Sequence, residues 1–308
     1  MPKVSIVLPI YNGSEHLPLC LDSLLAQSFR DFEIILIDDG SKDNSCGISK
    51  KYQARDSRIR HFENPTNLGT ASTTNIGHRL AQGDYIAHAD QDDISEPHRL
   101  ALQVAFLDKN PEISMISGSL KSLGTEEEHL IKAPLSDDQI KSNFLPGTHN
   151  IINPTVMIRR SFTESNQLYF DPNLQGTADY GYFVQAMLCG AKFANLPQVL
   201  LRYRVHSTQQ TKGNSRMAAA FPVVRQRVMA EFFPELSLRQ IQTVEPLLRW
   251  TWPPAIPRQD VEAGLELIPQ LMTYEISKHG ESREQRNGFL QSCQKRWSGA
   301  LGKQKGGN

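Results

Sequence analysis

The 308-residue sequence predicts an α/β fold: a Rossmann-like, mostly parallel sheet flanked by helices, followed by a C-terminal α-helical extension. Three observations carry this reading. Short β-branched runs alternate with helically spaced segments over roughly the first 120 residues, turn residues gather after each run, and strand signals fade from about residue 216.

The first unit is "VSIVLPI" (4–10), then "YNGSEH", then Leu17, Leu21, Leu24 and Leu25 at the three-and-four spacing of one helix face. A second follows with "FEIILID" (32–38), the loop "DGSKDNS" and a polar helix to about Ala54. The third is "RIRHFE" (58–63), "NPTNLG" and a helix from about Thr70 to Ala81, and "DYIAHAD" (84–90) is the fourth strand. Strands and helices alternating at this length imply crossover connections and parallel pairing, with ligands at the carboxyl edge of the sheet. The loops "PIYNGSE", "DDGSKD" and "ADQDDIS" share that edge. After "EISMISGSL" (112–120) the rhythm gives way to longer loops, and "WTWPPAIPRQ" crowds prolines and tryptophans into a connection. These shifts place one domain at 1–215 and a helical extension at 216–308, with the glycine- and lysine-rich last dozen residues expected to be disordered.

Lysine plus arginine equals aspartate plus glutamate at 33 each, so the bulk charge calls for no nucleic-acid partner. Cys20, Cys46, Cys189 and Cys293 lie far apart, without the close pairs of zinc or redox motifs, and read as reduced cytosolic thiols. The opening apolar stretch is too short for a signal peptide, and no run reaches the roughly 18 apolar residues of a spanning helix. A cytoplasmic protein is expected, one still able to touch the inner face of a membrane.

Charge is concentrated locally. "AHADQDDISEPHRL" (87–100) sets Asp90, Asp92 and Asp93 at a strand end, where like charges repel and little water screens them. A D-x-D pattern there can present oxygens to magnesium or manganese, which stay partly coordinated by substrate phosphates. The plainer account has Ser95 capping the next helix, Pro97 in its first turn and the aspartates complementing its dipole. "DDGS" (38–41) is either a turn with a cap or a carboxylate that accepts a base N–H or bonds a ribose. "NLGTASTTNIG" (67–77) sets small residues at a helix start, which suits either a diphosphate or tight helix packing.

Together, "VSIVLPIYNGSEHLPLCLDSLLAQSFRDFEIILIDDGS", "NLGTASTTNIG", "GDYIAHADQDDISEPHRLALQ" and "LLRYRVH" resemble the bacterial family 2 glycosyltransferases, inverting enzymes of the GT-A fold, over about residues 3–212. The resemblance implies that Pro9, Tyr11 and Asn12 line a nucleotide pocket, that Asp38 or Asp39 recognises the base, and that Asn67, Gly69 and Asn75 lie beside the nucleotide. It implies Asp90 near ribose and metal, Asp92 as a ligand of Mn2+ or Mg2+, His206 helping to hold metal or diphosphate, and Asp179 as the catalytic base. Asp93 and Asn153 fall on the expected acceptor side. The sequence departs from the family at Ala178, where a glutamate is usual, at His88, where relatives often have arginine, and at Asn153, where many have histidine.

The implied activity is metal-dependent, hexosyltransferase-type transfer from a UDP- or dTDP-linked sugar to a saccharide or lipid-linked acceptor in surface polysaccharide synthesis. Alternatives are a non-catalytic nucleotide- or carbohydrate-binding scaffold, favoured by Ala178, and a sugar nucleotidyltransferase, disfavoured because "PIYNGSEH" lacks lysine and arginine. No G-x-G-x-x-G follows the first strand, which argues against a nicotinamide enzyme. In the tail, Arg225 and Arg227 beside an apolar face and the cations around tryptophan in "CQKRWSG" fit an anionic membrane surface, a helical cap or an oligomer interface.

Overall fold

A computed structural model describes residues 1–125, 127–147, 150–174, 176–206, 215–249, 256–275 and 277–305. The chain divides into two units, one of residues 1–135 with 151–214 and the other of 136–150 with 215–308.

The first unit opens with the expected alternation: β1 (Val4–Ile10), α1 (Leu17–Leu25), β2 (Phe32–Asp38), α2 (Ser45–Gln53), β3 (Ile59–Glu63), α3 (Thr70–Leu80) and β4 (Tyr85–His88). Their β-branched runs lie in the middle of a sheet, and every residue of β2 is buried, as a strand covered on both faces requires. Alternation sorts the side chains. Val4, Ile6, Leu8 and Ile10 form one core with Leu17, Leu21 and Leu24, while Val7 and Ile37 turn to the other face and meet α3. A Cβ on Gly77 would come within 2.3 Å of Val7 Cγ1, so this glycine of "NIG" serves close helix packing rather than a ligand.

The later strands are β5 (Ile94–Ser95), β6 (Met115–Leu123), β7 (Leu130–Ile131), β8 (Met157–Arg159) and β9 (Phe193–Arg204), with α4 (Arg99–Lys109), α6 (Arg160–Ser165) and α7 (Ala178–Leu188) between them. The sheet runs β3-β2-β1-β4-β8-β6-β9-β5, with β7 on β6. Pairings from β3 to β4 are parallel, as is β6 with β9, while β8, β5 and β7 pair antiparallel. The sheet is therefore mixed but mostly parallel, and the carboxyl ends of β1, β2 and β4 lie at one edge.

The second unit is helical: α5 (Asp137–Ser142), α8 (Ser215–Phe232), α9 (Leu238–Val244), α10 (Arg258–Thr273) and α11 (Arg283–Lys305). Two boundaries differ from those read in the sequence. Residues 136–150 belong here rather than with the sheet, because Ser282 N–H donates to Ser142 Oγ at 2.8 Å and Arg225 donates to the Leu145 carbonyl. The helix α11 continues to Lys305 where disorder was expected, and residues 306–308 lie outside the described residues. The connection at 250–255 does so too.

Two of the tail's groups singled out in the sequence lie inside this unit. Arg225 is 1 % exposed and donates to Glu245 Oε1 at 2.7 Å and to the Leu248 carbonyl at 2.8 Å. Trp297 is buried and donates its Nε1–H to the Leu247 carbonyl at 2.9 Å. These two groups hold the unit's interior, while Arg227 is exposed. Among the described residues no helix is long and apolar enough to cross one.

Candidate active site

Three loops meet at the carboxyl edge. After β1 the chain turns through Asn12, held at a φ of 48°. Asn12 Oδ1 accepts the Lys42 N–H at 2.7 Å, and its own N–H donates to Ser41 Oγ at 3.0 Å. The N–H groups of Gly13 and Ser14 donate to Ser45 Oγ and Asp43 Oδ2. Burial works against the Asp43 charge, but hydrogen bonds from Ser45 and Ser14 prevail and hold its pKa at about 2. The "PIYNGSE" and "DDGSKD" loops are thus one preorganised surface, from which Tyr11 projects, 40 % exposed.

The two aspartates at the end of β2 have different tasks. Asp39 is filled: Oδ1 accepts the Leu68 N–H and Asn64 Nδ2–H, and Oδ2 accepts the Gly69 N–H at 2.9 Å. It fixes the loop in which Asn67 Oδ1 also accepts the Gly69 N–H. Gly69 has a φ of 84° and precedes α3, which ordinary residues rarely tolerate. Asp38 accepts the Ser41 N–H on Oδ1 at 2.8 Å, while its buried Oδ2 has no hydrogen-bond partner. Asn75 does not belong to a nucleotide surface. Its amide donates to the Phe170 carbonyl and accepts the Phe170 N–H, both at 2.8 Å, so both ends of the side chain are committed to structure.

The loop after β4 holds the carboxylates. Desolvation first, then the charges of Asp92 and Asp179, raise the Asp90 pKa well above the usual carboxylate range. The same influence places Asp179, in the first turn of α7, within electrostatic reach of Asp90. Its own Oδ1 accepts the Tyr180 N–H at 2.7 Å. Asp92 Oδ2 lies 2.9 Å from His206 Nε2, and the His206 ring stands 5.2 Å from that of His16. His16 escaped the sequence reading, since a single histidine before a helix gives no signal of its own. Gln91, between the two aspartates, was missed for the same reason. Its side-chain amide accepts the Tyr11 N–H and donates to the Tyr11 carbonyl, joining the first and third loops.

Asp93 is 2 % exposed and faces inward. Its Oδ1 accepts the Arg204 N–H at 2.9 Å, and Oδ2 is buried without a partner. Desolvation and the neighbouring Asp90 charge raise its pKa. That position corrects both the acceptor-side and helix-start expectations. Ser95 is no helix cap either: it lies in β5, and its Oγ accepts from Arg99 Nη1, while α4 begins after His98 without a side-chain cap. Arg99, 1 % exposed, also donates to the His88 carbonyl at 2.6 Å and to Gln103 Oε1, fixing the strand end that leads into the aspartates.

His88 and Asn153, two of the three positions at which the sequence departs from the pattern it resembles, touch. His88 Nδ1 donates to Asn153 Oδ1 at 3.1 Å, which leaves His88 Nε2 to accept from His78 Nε2 at 3.0 Å. Both rings are buried beside the stacked pair Phe170 and Tyr182.

The family model for glycosyl transferase family 2 matches residues 5–166, more than half of the chain. The chain belongs to glycosyl transferase family 2. An uncharacterized glycosyltransferase of Haemophilus influenzae is 35 % identical over 187 residues, covering 61 % of this chain and 72 % of that one. Among solved structures, S. aureus TarS 1-349 in complex with UDP-GlcNAc matches with a TM-score of 0.66 at 16 % identity, over 97 % of this chain and 92 % of that one. The mannosyltransferase PcManGT from Pyrobaculum calidifontis, in complex with GDP-Man and Mn2+, matches with a TM-score of 0.58 at 15 % identity, over 95 % of this chain and 86 % of that one. At these identities the structural likeness speaks to the fold, which is GT-A. The protein is thus a family 2 glycosyltransferase whose aspartates lie at the carboxyl edge of its sheet.

Proposed function

We propose that this family 2 glycosyltransferase transfers a sugar from a UDP- or dTDP-linked donor, with inversion and a divalent cation, to a hydroxyl of a saccharide or lipid-linked acceptor in surface polysaccharide synthesis. The observation that carries the reading is the gathering at the carboxyl edge of Asp92, 2.9 Å from His206 Nε2, with Asp90, whose pKa burial and then the charges of Asp92 and Asp179 raise. Carboxylates so crowded and desolvated are costly unless a cation joins them.

The donors present fit Mn2+ or Mg2+. Aspartate oxygens are hard ligands, and His206 beside Asp92 adds the imidazole that manganese tolerates. Asp92 and Asp90 would hold the ion, with His206 beside them. A bound divalent ion supplies charge neutralisation for a departing diphosphate. PcManGT, seen in complex with GDP-Man and Mn2+, supports the choice of ion.

The chain's own groups do the rest. Tyr11, Pro9 and Asn12 form one wall of the nucleotide pocket, and the unfilled Oδ2 of Asp38 is the acceptor for a base N–H or ribose hydroxyl. The backbone N–H groups at the start of α3, capped by Gly69 without a side chain, face the diphosphate. Asp179 accepts the proton of the acceptor hydroxyl as that oxygen attacks the anomeric carbon from the face opposite the leaving group. A positioned base of this kind contributes about a hundredfold to ten-thousandfold. The catalytic unit is residues 1–135 with 151–214.

The test is a donor screen. UDP-, dTDP- and GDP-sugars are each incubated with the protein and Mn2+ or EDTA, released nucleoside diphosphate is measured, and the product's anomeric configuration is read by NMR. Metal-dependent release of UDP or dTDP with an inverted product supports the reading. Release that EDTA leaves unchanged, or a retained configuration, overturns it.

A further inference from the structure

Apart from the donor site, Cys46, His61 and Glu63 bring a thiol, an imidazole and a carboxylate together, each with one ligand atom within 4.8 Å of the other two. The arrangement follows from local structure. His61 and Glu63 are two apart on β3 and so share a face, and the first turn of α2 brings Cys46 to them. His61 Nδ1 lies 3.9 Å from Glu63 Oε1. The ring is nearly closed off, 4 % exposed, and its Nε2 is buried without a hydrogen-bond partner.

One further observation points to a cation. A cation already stands on the outer side: Lys50 Nζ is 2.9 Å from Glu63 Oε1, on a side chain 60 % exposed.

We propose that Cys46, His61 and Glu63 form a second metal site, selective for a zinc-class ion, that pins the start of α2 to the end of β3. A thiolate with an imidazole prefers zinc or cobalt to magnesium or manganese, so the site differs chemically from the oxygen-rich aspartates. The charges balance. The Cys46 thiol gives its proton to solvent, the thiolate and the Glu63 carboxylate neutralise the dication, and the Lys50 ammonium swings off Glu63 into water without changing its protonation. Nothing is oxidised, and water completes the coordination. Because Glu63 lies opposite Asp38 in the β2–β3 register, the ion would also steady the strand end that carries the base-recognising carboxylate.

Co2+ titration of the reduced full chain tests this without reference to turnover. The expected result is a thiolate-to-cobalt charge-transfer band that saturates near one equivalent, is lost in Cys46→Ser and persists in Asp92→Asn. Losing even an outer-shell partner costs a metal site about tenfold or more in affinity, so His61→Ala should weaken Co2+ by at least that factor. Lys50→Gln, on an exposed side chain and with no demand on folding, should tighten binding by removing the competing ammonium. The absence of the band in the wild type at saturating Co2+, an equal band in Cys46→Ser, or unchanged affinity in Lys50→Gln overturns the site.

Discussion

His206 Nε2 lies 2.9 Å from Asp92 Oδ2, joining the segment that follows β9 to the loop that follows β4. The contact spans more than a hundred residues of sequence and puts an imidazole on the aspartate expected to ligate metal. If the pair serves the ion, Asp92→Asn and His206→Ala should both raise the Mn2+ concentration needed for half-maximal donor turnover. The shift should be larger for Asp92→Asn, on the order of a hundredfold against about tenfold. Metal titration of nucleotide release checks this, and equal metal dependence in His206→Ala and wild type would reduce the contact to a structural bond.

Asp179 influences Asp90 electrostatically yet lies on a separate element, α7. A base acts in the chemical step rather than in donor binding. Asp179→Asn is therefore expected to lower kcat by about a hundredfold to ten-thousandfold while UDP and Mn2+ still bind with near-native affinity. Steady-state kinetics with calorimetry separates the two. Native kcat in Asp179→Asn would place the base elsewhere.

Burial lowers the His88 pKa to about 4, against the opposing hydrogen bond with Asn153. An unfolded histidine titrates near 6.5, so below that pH the unfolded chain binds a proton that the folded chain refuses. The histidine's contribution is fully present above about pH 6.5 and is lost as pH falls toward about 4, by up to about 1.4 kcal/mol per pH unit. Asp90 and Asp93, whose pKa values are raised, act with the opposite sign: their contribution is present at low pH and lost as pH rises. That part is common to both proteins when wild type is compared with His88→Gln. The stability difference between them, from urea unfolding, should shrink between about pH 7 and about pH 5. A difference independent of pH would mean that folded His88 takes up its proton as readily as the unfolded chain does.

How much of this was legible in the sequence depended on whether the controlling interaction was local. Strands β1 to β4 and helices α1 to α3 carry their own periodicity, and they stand where the β-branched runs and leucine spacings place them. The edge at which the three loops meet follows from parallel connectivity alone. What failed was decided by partners far along the chain. Residues 136–150 read as part of the sheet unit because nothing local shows that Ser142 will bond Ser282. Ser95 and Asp93 look like a helix start until Arg99 and the Arg204 backbone claim them. In "DDGS" the two aspartates are indistinguishable until the loop at 68–69 fills Asp39 and leaves one oxygen of Asp38 without a partner.

Asn75 gives the sharpest separation of structure from ligand binding. In sequence it sits in "NLGTASTTNIG" with Asn67 and Gly69, yet it is 7 % exposed and brackets the Phe170 backbone with both ends of its amide. Asn75→Ala would leave a buried N–H and a buried carbonyl without partners, and each such loss costs about 1–3 kcal/mol. Urea unfolding should therefore show a loss of about 2 kcal/mol or more. Calorimetry on the folded fraction should show unchanged affinity for UDP with Mn2+. A nucleotide ligand would behave the other way, with affinity lost and stability kept, and that outcome would return Asn75 to the donor pocket.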